Sequence, residues 1–135
     1  MADPLGLSSE IDFDEFISDE NSSGIVDSRT FREGGWLGLT KQAAFAHPVS
    51  KHVIPVDTSD TKFFVVTEIN GPHETSEHSH AESILRYVVS GSFELNGKPY
   101  SAGEWVYVPA RTPYSIKTAK GYKTLAGYGM ACEGT

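Results

Sequence analysis

From residue 36 onward the apolar positions come in short runs that alternate with polar ones and stop at glycine, proline or asparagine. A period of two sends successive side chains to opposite faces of a strand, so the pattern predicts half-buried β-strands. The runs fall at Trp36–Leu39, Lys51–Val56, Lys62–Ile69, Ser76–His80, Ile84–Val89, Ser92–Leu95, Trp105–Val108, Tyr114–Thr118 and Tyr122–Gly129. Asn96-Gly97, between Leu95 and Lys98-Pro99-Tyr100, predicts a two-residue type I′ hairpin, because that turn needs positive φ at both central positions. Ala102-Gly103 and Pro109-Ala110-Arg111-Thr112-Pro113 mark the next two corners. Many short strands between turn signals predict an all-β sandwich or barrel.

The first 35 residues have a different texture. Phe13, Phe16 and Ile17 stand at helical spacing behind Ser9 as N-cap, with acids in the first turn, which predicts a short helix or arm. Asn21-Ser22-Ser23-Gly24 then reads as a loop, and the chain divides into an arm over 1–35 and one barrel over 36–135. Charge sharpens this division. Residues 1–35 hold nine acids and two arginines, whereas the remainder holds nine acids and nine bases, so the entire net charge of −7 sits on the arm. A neutral body behind an acidic arm lacks the basic stripe that nucleic acid or an anionic membrane requires, and both are excluded as expected partners. Uninterrupted apolar runs such as Phe63-Phe64-Val65-Val66 fall far short of the roughly 20 residues of a spanning helix. Cys132 is the single cysteine, so no disulfide forms within the chain, and with no basic start or apolar leader the expected location is cytoplasmic.

Three of the five histidines lie in Gly71-Pro72-His73-Glu74-Thr75-Ser76-Glu77-His78-Ser79-His80-Ala81-Glu82. On one strand His78 and His80 would share a face, and their imidazoles could converge on one metal ion. His73, Glu74 and Glu77 read as solvated rim positions, and His47 and His52 as ordinary structural histidines. Cys132 has no base beside it and is not read as a nucleophile.

The stretch His78-Ser79-His80-Ala81-Glu82-Ser83-Ile84-Leu85-Arg86-Tyr87-Val88-Val89-Ser90-Gly91 resembles the first motif of the cupin superfamily. Gly103-Glu104-Trp105-Val106-Tyr107-Val108-Pro109-Ala110-Arg111-Thr112-Pro113-Tyr114 resembles the second. The resemblance covers about residues 60 to 130 and implies a small double-stranded β-helix, or jelly-roll barrel, paired as a homodimer. It implies no particular reaction, since function lives in sites grafted onto such a fold. The motif's usual glutamate ligand is replaced here by Ile84, its third histidine by Tyr114 and a frequent later asparagine by Thr118, so His78 and His80 alone remain of four ligands.

Two imidazoles rarely hold a divalent ion against water, so a bound iron, manganese, nickel or zinc would need a further donor. Tyr114, as a phenolate, and Glu82, two residues after His80, are the candidates. Strand parity carries Ile84, Arg86 and Val88 to one face, which places Arg86 inward unless a bulge turns it out. A buried guanidinium needs a counter-charge, from Glu82, Glu68 or a ligand, and its planar fork suits a carboxylate or enolate. The expected function is an enzyme on a small organic, anionic or carbonyl-containing molecule inside the barrel, by metal-assisted oxygenase, isomerase or cyclase chemistry. Two alternatives stand beside it: metal-free acid–base catalysis by His78, His80 and Tyr114 with Arg86 as the clamp, and a non-catalytic sensor module.

Overall fold

The computed structural model describes residues 24–29, 54 and 56–129. Backbone contacts divide the chain after Asp57. In the first part, Val26–Asp27 (β1) is a short strand, and the Asp27 carboxylate accepts the Arg29 backbone N–H at 2.9 Å. The predicted strand Lys51–Val56 is not present at Ile54 or Val56, where the Val56 N–H donates to the Ile54 carbonyl at 3.0 Å and turns the chain. The predicted helix around Phe13, Phe16 and Ile17, the strand Trp36–Leu39, His47, His52 and Cys132 lie outside the described residues.

The second part is all-β and antiparallel. It contains β2 (Phe63–Asn70), β3 (His73–His78), β4 (Ile84–Leu95), β5 (Lys98–Ser101), β6 (Trp105–Val108), β7 (Tyr114–Thr118) and β8 (Gly121–Tyr128), and no helix occurs among the described residues. No helix there is long and apolar enough to cross a membrane. One sheet runs β2-β8-β4-β6 and the other β5-β4-β7-β3, so β4 belongs to both. The expected jelly-roll arrangement, two sheets enclosing one interior, is what these strands build.

The two predicted strands Ile84–Val89 and Ser92–Leu95 are one continuous strand. Residues Ile84 to Gly91 pair in the first sheet, and Ser92 to Leu95 in the second. The register against β8 slips by one residue between Val88 and Ser90, a bulge that bends the strand and shifts its alternation. Buried positions are accordingly even before it (Ile84, Arg86, Val88) and odd after it (Phe93, Leu95). Gly91 makes the crossing feasible: its φ is +75°, and a Cβ there would collide with the carbonyl oxygen of Gly121, itself at φ +102°. The Asn96-Gly97 hairpin has φ of 52° and 81°, as a type I′ turn requires.

Candidate functional site

The predicted strand Ser76–His80 is shifted in the structure: β3 ends at His78, and Ser79 and His80 lie beyond it. Period-two alternation therefore does not bring the two imidazoles together. The loop after β6 does so instead. Arg111, held at φ 60°, donates its backbone N–H to the His80 carbonyl at 2.7 Å and fixes the chain where it leaves the strand. The rings of His78 and His80 then meet edge to face with centroids 4.9 Å apart, and Tyr114, paired with His78 across β3 and β7, lies 4.7 Å from the first and 5.7 Å from the second.

His78 has a defined tautomer. Its Nδ1 lies 2.8 Å from the Ser76 carbonyl oxygen, which only accepts, so Nδ1 carries the proton. In the neutral ring Nε2 then presents a lone pair, and this atom is buried with no hydrogen-bond partner. An imidazole pinned through one nitrogen with the other free is suited to take a proton or to bind a metal.

Tyr114 is fully buried and joins the remaining groups. Arg86 Nη2 donates to its hydroxyl oxygen at 2.9 Å, and His80 Nε2 lies 2.8 Å from the same oxygen. Arg86 can only donate, so the phenol accepts from it and has its own proton to offer to His80. Burial, then the proximity of His78 and of Arg86, lower the His80 pKa from 6.5 to about 4, which keeps its imidazole neutral at pH 7.

Arg86 points into the barrel and is 3% exposed. Its guanidinium is flanked by the rings of Tyr114 at 5.7 Å and Tyr128 at 5.6 Å, within cation–π range. Burial, the largest single influence, lowers its pKa, and Tyr114, Tyr128 and Tyr122 together raise it by more. Tyr114 holds the cation through its hydrogen bond, and both Tyr114 and Tyr128 through their ring faces. The counter-charge expected from Glu82 or Glu68 is not found: among the described residues no carboxylate pairs with Arg86, and its Nε is buried without a partner. Glu68 faces outward on β2 opposite Lys123, because Thr67 and Ile69 take the inward parity. Glu82 sits in the turn before β4 with its stem against Gly129.

A cavity of about 50 Å³ lies beside these groups, lined by Thr67, Thr75, His73, His78 and Arg86. Tyr122 and Tyr128 close it with Ile69 and Ile116. Burial raises the pKa of Tyr122, Arg86 lowers it and Tyr128 raises it, with a net upward shift. No carboxylate lines this cavity. Among the described residues no three His, Cys, Asp or Glu side chains gather as a metal-holding group, so Glu82 does not join His78 and His80. The donors present are two imidazoles, one already bonded to Tyr114, and a phenol that carries a buried cation. That set lacks anionic charge and would place a divalent ion beside a guanidinium, so it does not fit a tightly held metal.

Sequence reasoning brought His78, His80, Tyr114 and Arg86 into view but missed Tyr128, Tyr122 and the Ser76 carbonyl. The two tyrosines had a readable signal, since Tyr122, Thr124, Ala126 and Tyr128 share one parity of β8 and all are buried. The Ser76 carbonyl had none.

No family model matches the sequence, and no curated protein matches it. Solved structures with a similar fold include an RmlC-like cupin from Shewanella frigidimarina, 24% identical over 52% of this chain and 68% of that one, with a TM-score of 0.45. A cupin-like protein of unknown function from Ralstonia eutropha is 14% identical over 52% of this chain and 48% of its own, at 0.46. A predicted oxalate decarboxylase from Thermotoga maritima is 22% identical over 51% and 66%, at 0.43. Each likeness is one of fold, over about half of this chain.

Proposed function

We propose that the barrel is a small proton-transfer enzyme acting on a small carbonyl compound, with His78 as general base, Tyr114 as general acid and Arg86 stabilising the anionic intermediate. The observation that carries this reading is the buried, unpartnered Nε2 of His78, whose lone pair is aimed by the Nδ1–H bond to Ser76. A base placed beside a hydroxyl that already accepts from a cation has the parts needed for abstraction next to a carbonyl: His78 takes the carbon-bound proton, and Tyr114 with Arg86 meets the developing enolate charge. Neutral His80 accepts the phenol's single proton in a hydrogen bond until that O–H turns to the enolate oxygen.

Deuterium wash-in from D2O at the carbon beside the carbonyl, followed by NMR over a panel of small 2-oxo and 2-hydroxy acids, tests the reading. His78→Ala should abolish exchange, and Tyr114→Phe should slow it by about 10²–10⁴-fold. Exchange that survives His78→Ala would refute it. A second reading, metal held by His78 and His80, draws support from the carbonyl anchor on His78, an arrangement typical of metal-bound histidine. Metal analysis of untagged protein separates the two: stoichiometric metal that is lost in the His78→Ala, His80→Ala double variant would favour the second. Ligand binding without exchange or metal would leave the sensor role.

A further inference from the structure

Among the described residues, Arg86 is a buried charge with little to compensate it. A full positive charge lies 3% exposed at a cavity wall, with one hydrogen bond, to the hydroxyl of Tyr114, and with its Nε unpartnered. Removing a charge from water costs several kcal/mol unless an opposite charge and further hydrogen bonds meet it. Neither is supplied by the described residues, and no carboxylate lines the cavity to compete for the guanidinium. The same wall would repel a cation and leave the charge of Arg86 unmet by a neutral ligand.

Size and shape narrow what could complete it. About 50 Å³ is space for a group of a few non-hydrogen atoms, more than one water and less than a sugar or aromatic ring. The rings of Tyr114 and Tyr128 flank the guanidinium, and its Nε is left buried without a partner. A carboxylate presents two coplanar acceptor oxygens to the planar guanidinium fork and fits a space of this size with fewer atoms than a tetrahedral anion. Thr67 and Thr75 add hydroxyls at the wall for an oxygen that the guanidinium does not reach.

We propose that this cavity is a carboxylate-binding subsite: the substrate is a small organic acid that enters head first, its carboxylate on the guanidinium of Arg86 and its reacting carbon beside His78. The inference rests on the reading of His78, Tyr114 and Arg86 as one site, and it deepens that reading by naming the acid group as the part recognised.

Calorimetric titration at matched ionic strength, with acetate as the probe, tests it against acetamide as the neutral isostere and inorganic phosphate as the tetrahedral control. Acetate should bind at least tenfold more tightly than either. Arg86→Lys keeps the charge but loses the planar fork and should weaken acetate about tenfold. Arg86→Met should abolish the preference for acetate over acetamide, with a cooperative thermal melt confirming that each variant folds. His78→Ala should still bind acetate, since it leaves the guanidinium in place. Equal binding of acetate and acetamide, phosphate binding as tight as acetate, or an unchanged affinity in Arg86→Lys would each overturn the subsite. Failure of acetate together with His78-dependent deuterium exchange would sink the subsite alone. Acetate binding without exchange would sink the proton-transfer reading alone.

Discussion

Tyr114→Phe removes one oxygen and leaves the ring, so it isolates the hydroxyl that Arg86 and His80 share. The phenylalanine ring would keep its cation–π contact with Arg86 and its packing against His78, and the interior would lose little volume. The bond from Arg86 Nη2 to this hydroxyl, 2.9 Å long and charge-assisted, is worth about 1.5–3 kcal/mol, because the guanidinium is then buried with no hydrogen bond at all. The bond to His80 Nε2, 2.8 Å long, adds about 0.5–1 kcal/mol, since that ring is only half-buried and water can replace the partner. The sum, about 2–4 kcal/mol, is a large part of the roughly 5–15 kcal/mol that holds a domain folded. For a barrel of this size it corresponds to a fall in Tm of about 10–25 °C. Urea unfolding followed by tryptophan fluorescence measures the loss, and a double-mutant cycle with Arg86→Met assigns it. Because Tyr114→Phe strands the guanidinium, removing that charge in the same chain should recover about 1.5–3 kcal/mol relative to additivity. A Tyr114→Phe variant within about 0.5 kcal/mol of the native protein, or strictly additive effects in the cycle, would refute the hydroxyl as the hub of the site.

Acid should destabilise the barrel through His80. Its unfolded form takes up a proton as pH falls through 6.5 while the folded form resists until about 4, so stability is full above that window, declines within it and levels below it. His80→Gln should remove that part of the slope, and an unchanged pH dependence of the urea midpoint would contradict it. Gly91→Ala meets both a positive φ and the Gly121 carbonyl, and should cost about 2–5 kcal/mol, whereas Gly97→Ala, with open space around it, should cost only about 1 kcal/mol for its φ of 81°. Equal melting temperatures for the two variants would argue against the strand crossing as described. The outer face of the first sheet exposes Phe64 by 70% and Val66 by 61%, with Leu125 beside Val66. If a second copy covers this face, light scattering should give a dimer that Phe64→Glu dissociates, and a monomeric native mass would remove the expectation of a homodimer.

Local chemistry made most of the barrel legible in the sequence. Trp105–Val108 and Tyr114–Thr118 occur at the predicted boundaries, and Asn96-Gly97 turns as its backbone preferences demand, because alternation and turn geometry act between near neighbours. The inward parity of Arg86 followed from the same alternation, which holds up to the bulge. Distance along the chain limited the rest. That Ile84–Val89 and Ser92–Leu95 are one strand depended on Gly91 meeting Gly121, thirty residues later, in a contact that no local pattern announces. His78 and His80 converge by a route that spacing did not foresee, since His80 is held off the strand by the Arg111 N–H and Tyr114. The sequence also left open what would meet the charge of Arg86, and only the folded chain decided it. Alternation says which face a side chain takes, but a partner is chosen by what other strands bring close, and here they bring a phenol hydroxyl at 2.9 Å and two aromatic faces where a carboxylate was expected.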